Sequence, residues 1–67
     1  MVKVTLAAAR TNAGYSQEKL AELMGVNRTT LARWETGKSE ITARNLCAFC
    51  KLTGFSVDDI LLPQKSA

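Results

Sequence analysis

Apolar side chains recur in short blocks along this chain, and each block follows a residue suited to open a helix. Leu20, Ala21 and Met24 come after Ser16; Leu31 and Trp34 come after Asn27; Leu46, Phe49 and Cys50 come after Thr42. Spacings of three and four residues put each set on one face of a helix. Glycines stand at 14, 25, 37 and 54, between the blocks. The pattern predicts five helices. The first runs over Val4 to Asn12 and ends at Asn12-Ala13-Gly14. Val2, Val4 and Leu6 alternate with polar residues, so a short strand is the alternative for its beginning. The second opens at Ser16, with Glu18 in its first turn, and stops at Gly25. The third is capped by Asn27 and leads into the loop Thr36-Gly37-Lys38-Ser39, with Gly37 left-handed. The fourth is capped by Thr42 and ends at Gly54. Ser56-Val57-Asp58-Asp59 resembles a capping box that opens a last short helix through Leu61, and Pro63 stops it. Short connections and no repeat or low-complexity tract predict one all-α domain over residues 3–62, an orthogonal five-helix bundle. Residues 63–67 form a tail, frayed from Gln64 to Ala67.

The second and third helices read as one mechanical unit. Ala21 is small where two steeply crossing backbones approach, Gly25 supplies a positive backbone dihedral, and Val26 plugs the corner. Leu20, Leu31 and Trp34 fill the space beneath. Arg28, Thr29, Thr30 and Arg33 are left on the outer side of the third helix. Arginine and hydroxyl side chains on an exposed helix suit the DNA major groove, where they read base edges.

Composition narrows the possibilities. The chain has 67 residues, 46% of them hydrophobic, enough for one small core. The formal charge is +3, from 9 basic and 6 acidic residues. Most of it lies between Asn27 and Lys51, where Arg28, Arg33, Lys38, Arg44 and Lys51 face Glu35 and Glu40. A local basic excess suits a nucleic-acid partner. No apolar run approaches the roughly 20 residues of a membrane helix. The N-terminal stretch is too short for a signal peptide, so a cytoplasmic location is expected. Histidine is absent, which removes the commonest general base and metal ligand. Asp58-Asp59 reads as helix-start charge, not a catalytic pair, and no enzyme activity or cofactor is expected. Cys47 and Cys50 form C-x-x-C inside an amphipathic helix. Without a third cysteine they read as reduced thiols, Cys50 buried beside Phe49 and Leu46, and no metal is expected. A four-thiolate zinc site shared by two copies is the alternative.

The segment Gln17 to Thr36, with Glu35-x-Gly37-Lys38 and the ending Leu52-Thr53-Gly54-Phe55-Ser56-Val57-Asp58-Asp59-Ile60-Leu61, resembles the Xre/Cro-type, lambda-repressor-like helix-turn-helix family. The resemblance covers Val4 to Leu62. It implies a small regulator, a bacterial or phage repressor, that binds double-stranded DNA and reads the major groove with its third helix. Arg28, Thr29 and Arg33 take the positions that face bases, with Asn27 and Thr30 nearby. Gln17 takes a phosphate-contacting position, and Thr36, Lys38 and Ser39 match the loop that tracks the backbone. Arg44 lies within reach of a phosphate. Arg10 and Glu35 match a structural ion pair that would also aim Arg10 toward the DNA backbone. Glu40 departs from the family, since an acid in that loop repels phosphate unless it turns away or pairs with Arg44. A homodimer on an inverted-repeat operator is implied, with Phe55, Leu61 and Leu62 as candidate contacts. The competing contribution of those three is to the monomer core. A second reading keeps the fold and makes it an antitoxin-like or accessory protein-interaction module.

Overall fold

The computed structural model describes residues 3–63. Among them run strand β1 (Val4–Thr5) and helices α1 (Leu6–Asn12), α2 (Gln17–Met24), α3 (Arg28–Thr36) and α4 (Ala43–Thr53). A single 3-10 turn (Val57–Asp59) and strand β2 (Ile60–Leu61) complete the order. The architecture is helical, but it has four α-helices where the sequence pattern predicts five. The expected frayed segment, Gln64 to Ala67, lies outside the described residues.

Both corrections fall at the ends of the chain, and they share a cause. The first helix begins at Leu6, not Val4, because Thr5 is its N-cap. Thr5 is extended, with φ −72° and ψ 165°, and its Oγ1 accepts from Ala8 N at 3.1 Å. The extended Val4-Thr5 pair is then free to form a ladder. It runs parallel to β2, with Val4 opposite Ile60 and Thr5 opposite Leu61. The last helix shrinks to one tight turn for the same reason. Asp59 Oδ2 accepts from Ser56 N at 3.1 Å and from Ser56 Oγ at 3.0 Å. Asp59 N donates to Ser56 O at 3.0 Å. The chain then extends at Ile60, with φ −91° and ψ 127°. Ile60 is β-branched and suits a strand; there it buries its side chain while its backbone pairs with Val4.

The core sits where the four helices converge. Leu6, Leu20, Leu31 and Phe49, one from each helix, are its largest fully buried side chains. Trp34 and Leu46 extend the cluster, and Ala9 and Ala21 are buried within it. Side-chain caps define the starts of α2 and α4: Ser16 Oγ accepts from Lys19 N at 3.0 Å, and Thr42 Oγ1 from Asn45 N at 3.2 Å. Asn27 holds the N-cap position of α3 but makes no side-chain capping bond.

Two glycines end the helices of the central unit. Gly25 has φ +74°, a conformation that strains any residue with a Cβ. It lets Val26 N close on Ala21 O at 3.0 Å, ending α2 with a Schellman-type bond. Val26, half-buried, packs at this corner against the core. Gly37, with φ +81°, does the same for α3. Lys38 N and Ser39 N then both donate to Arg33 O, at 2.9 and 3.2 Å.

Candidate nucleic-acid interface

Burial on α3 follows the helical period. Leu31 and Trp34 are buried, whereas Arg28, Thr29, Arg33 and Thr36 are exposed. At about 100° per residue, the four exposed residues span an arc of about 140° opposite the core. Thr30 and Glu35 are half-buried and mark the two edges of that arc. Asn27 is exposed just before α3, and its amide makes no capping bond.

Glu35 anchors one edge of the face. Its Oε2 accepts from Arg10 Nε at 2.7 Å, and its Oε1 accepts from Gln17 Nε2 at 2.8 Å and from Arg10 Nη2 at 3.4 Å. Arg10 Nη1 donates to Tyr15 O at 2.8 Å. The ion-paired side chains are only 15% and 5% exposed. This cluster ties α1, the α1–α2 turn, α2 and α3 together, so α3 is braced at its C-terminal end. The structure puts Arg10 inside the wall of the bundle, apart from the exposed cations, with Nε, Nη1 and Nη2 each donating within the protein. Gln17 also has a structural partner: one amide hydrogen is committed to Glu35, and its Oε1 lies 3.5 Å from Arg28 Nη1. The other amide hydrogen is unused among the described residues.

The loop after α3 carries a second cluster. Arg33 Nε donates to Ser39 Oγ at 3.0 Å, which bends the guanidinium toward the loop. Thr36 Oγ1 donates back to Ala32 O at 3.1 Å. Lys38 and Arg44 are exposed and make no ion pair among the described residues. Glu40 is exposed and likewise unpaired there, so it is not neutralised by Arg44. Arg28, Arg33, Lys38 and Arg44 are therefore the solvent-facing cations on and just after α3, while the charge of Glu35 is compensated by Arg10. These cations outnumber the one uncompensated acid, Glu40, with Arg33 held to Ser39 and Thr36 held to the α3 backbone.

The partners of Gln17 and Arg33 were not visible in the sequence. Gln17 and Glu35 are 18 residues apart, with no periodicity to connect them. Arg33 and Ser39 are six apart across a left-handed glycine. Only the crossing angle of the helices and the Gly37 turn bring these pairs together.

The remaining site residues lie elsewhere. Phe55 is half-buried against the core, while Leu61 and Leu62 are 53% and 43% exposed. Cys47 is an exposed free cysteine and Cys50 a buried one. Burial, the neighbouring Cys47 and the carboxylate of Asp59 push the Cys50 thiol above its ordinary pKa. No described helix is long and apolar enough to cross a membrane.

Comparison with known proteins agrees with this geometry. A family model described as helix-turn-helix matches residues 6–60. The chain is 34% identical over 56 residues to the SPbeta prophage-derived uncharacterized HTH-type transcriptional regulator YonR of Bacillus subtilis (strain 168), covering 84% of this chain and 52% of the relative. It is 35% identical over 52 residues to the HTH-type transcriptional activator BcrR of Enterococcus faecalis, covering 78% of this chain and 26% of that protein. The chain thus spans about half, and about a quarter, of the length of these two relatives. With the matched segment running from the first residue of α1 to the first residue of β2, the chain belongs to the Xre/lambda-repressor-like helix-turn-helix family.

Proposed function

We propose that this domain is a DNA-binding transcriptional regulator that reads the major groove with α3. The observation that carries the reading is the exposed α3 face: Arg28, Thr29 and Arg33 lie outward, over a buried Leu31–Trp34 edge and a braced Glu35. Arg28 at the first turn of α3 is suited to the O6 and N7 of guanine, and Thr29 to the methyl group of thymine. Asn27 and Thr30 flank them. Arg33, which the family resemblance places among the base-facing positions, is tied to Ser39 Oγ in the loop and is assigned instead, with Lys38, Ser39 and Arg44, to the backbone-facing rim, joined by the free amide hydrogen of Gln17 and by Thr36. Phosphate contacts of this kind position a domain, whereas base contacts specify the sequence. With cations at 33, 38 and 44 on phosphates, the affinity of one domain should fall with salt at a logarithmic slope of about −3.

One such face covers a half-site. A homodimer with Leu61 and Leu62 at its interface would set two reading helices about 34 Å apart on an inverted repeat. The names of the two relatives, one a regulator and one an activator, leave repression and activation equally compatible with this face.

Selection of duplex DNA from a random pool tests the reading. Enrichment of an inverted repeat whose half-sites contain guanine, bound with the stated salt slope, is the expected result. A pool that stays random after repeated rounds, with weak and salt-insensitive binding, would favour the protein-interaction module on the same fold.

A further inference from the structure

The function above makes no use of Cys47 and Cys50, yet the fold brings them together. Both lie on α4 and both line one shallow groove between that helix and the segment from Phe55 to Val57. Cys47 is open to solvent and Cys50 is buried. Phe55 and Val57 give the groove apolar walls, and Lys51 stands at its side.

Geometry decides what two thiols so placed can hold. Residues three apart on a helix carry Cβ atoms about 5–6 Å apart. A disulfide usually has its Cβ atoms about 3.5–4.5 Å apart, so a sulfur–sulfur bond here would need local adjustment of the helix. A metal between them has a different requirement. A two-coordinate ion sits between its two sulfurs and keeps them apart, so it does not require the close approach that a disulfide does. Among the described residues no group of three or more histidine, cysteine or acidic side chains is placed to hold an ion, which removes the tetrahedral zinc arrangement within one chain. A two-coordinate thiolate pair selects soft cations instead, with Cu(I) as the biological example.

We propose that Cys47 and Cys50 form a two-thiolate site for a single monovalent soft metal ion of the Cu(I) class. Loading breaks two S–H bonds, releases two protons to solvent and forms two metal–sulfur bonds. The metal keeps its oxidation state. The resulting unit carries one negative charge, which the Lys51 ammonium beside the groove offsets. Cys47 provides the solvent-accessible first contact, and Cys50 closes the site from the protein side. Among the described residues no third thiolate, imidazole or carboxylate is placed to raise the coordination number.

The test uses the reduced full chain under anaerobic conditions, with Cu(I) supplied as its coloured bathocuproine disulfonate complex. The expected result is transfer of one Cu(I) per chain, with the melting temperature raised on loading, since a ligand bound only by the folded state stabilises it. Cys47→Ser and Cys50→Ala should each lose the transfer, with helical content checked by circular dichroism. Cys47→Ser alters an exposed position, so the test stands even if Cys50→Ala fails to fold. Absence of transfer to the parent protein overturns the proposal. So does unchanged transfer to Cys50→Ala, which would reduce the effect to one exposed thiol. A stoichiometry of one ion per two chains also overturns it, by making the site a property of the dimer.

Discussion

The brace behind α3 makes a quantitative prediction. Arg10→Met removes the cation from a pair whose side chains are 15% and 5% exposed. Glu35 then keeps one donor, Gln17 Nε2 at 2.8 Å. Breaking a buried pair by deleting one partner costs about 3–5 kcal/mol. The surviving Gln17 bond and the partial exposure of Arg10 put this case near the bottom of that range, about 3 kcal/mol. In a domain of this size each 1 kcal/mol lowers the melting temperature by about 4–8 °C, so a fall of about 12–24 °C is expected. Glu35→Gln should cost less, about 1–2 kcal/mol, because Arg10 is the more exposed partner and retains its bond to Tyr15 O. Arg10→Met/Glu35→Gln removes both charges, and the double variant should be more stable than the sum of the singles predicts, by about 1–3 kcal/mol. Urea denaturation followed by far-ultraviolet circular dichroism measures all four proteins. Additivity within about 0.5 kcal/mol would refute the coupling. Single variants that melt like the parent would remove the brace altogether.

Three further outcomes are expected. Arg28→Ala should cost about 1–3 kcal/mol on the selected duplex and relax preference at one base position, whereas Lys38→Ala should weaken binding to all sequences and reduce the salt slope by about one unit; fluorescence anisotropy on selected and random duplexes separates the two patterns. Gly25→Ala should destabilise the domain by about 1–2 kcal/mol through its backbone dihedral alone, since a Cβ there meets nothing within 4 Å; urea titration reads this value, and an unchanged midpoint would contradict the strained turn. The Cys50 thiol holds its proton more tightly in the folded chain, above its ordinary value of 9.0. Its contribution to stability is complete below that value and is lost as pH rises from there through the folded pKa. The parent should therefore lose more stability than Cys50→Ala when chemical denaturation is repeated at rising pH above 9.0.

How far the fold is legible in the sequence depends on the range of the interaction concerned. Ser16 and Thr42 cap helices through bonds to residues three further on, so a local reading finds them. Gly25 and Gly37 end helices through their own dihedrals, and they are found in the same way. Ser56 and Asp59 mark a helix start equally well, but nothing local says how many turns follow. The apolar run Ile60-Leu61-Leu62 is compatible with helix or strand. Its partner, Val4-Thr5, lies more than fifty residues away, so the parallel ladder is visible only in three dimensions. The candidate site divides in the same manner. The outward face of α3 follows from periodicity, because Leu31 and Trp34 define the inward one. That Arg10 is spent on Glu35 and Tyr15, that Gln17 shares Glu35, and that Arg33 leans on Ser39 all depend on how the helices cross.

In the proposed function, the exposed face of α3 and the loop after it form the surface that meets DNA. Backbone amide chemical-shift mapping of the isotope-labelled domain, titrated with the selected duplex, tests this most directly. The largest shifts are expected on Asn27 to Arg33, with a second group at Gln17 and from Thr36 to Ser39, while residues 47–57 stay close to their free positions. Shifts concentrated on α4 and the Leu61–Leu62 segment, with Arg28 and Thr29 unmoved, would contradict it.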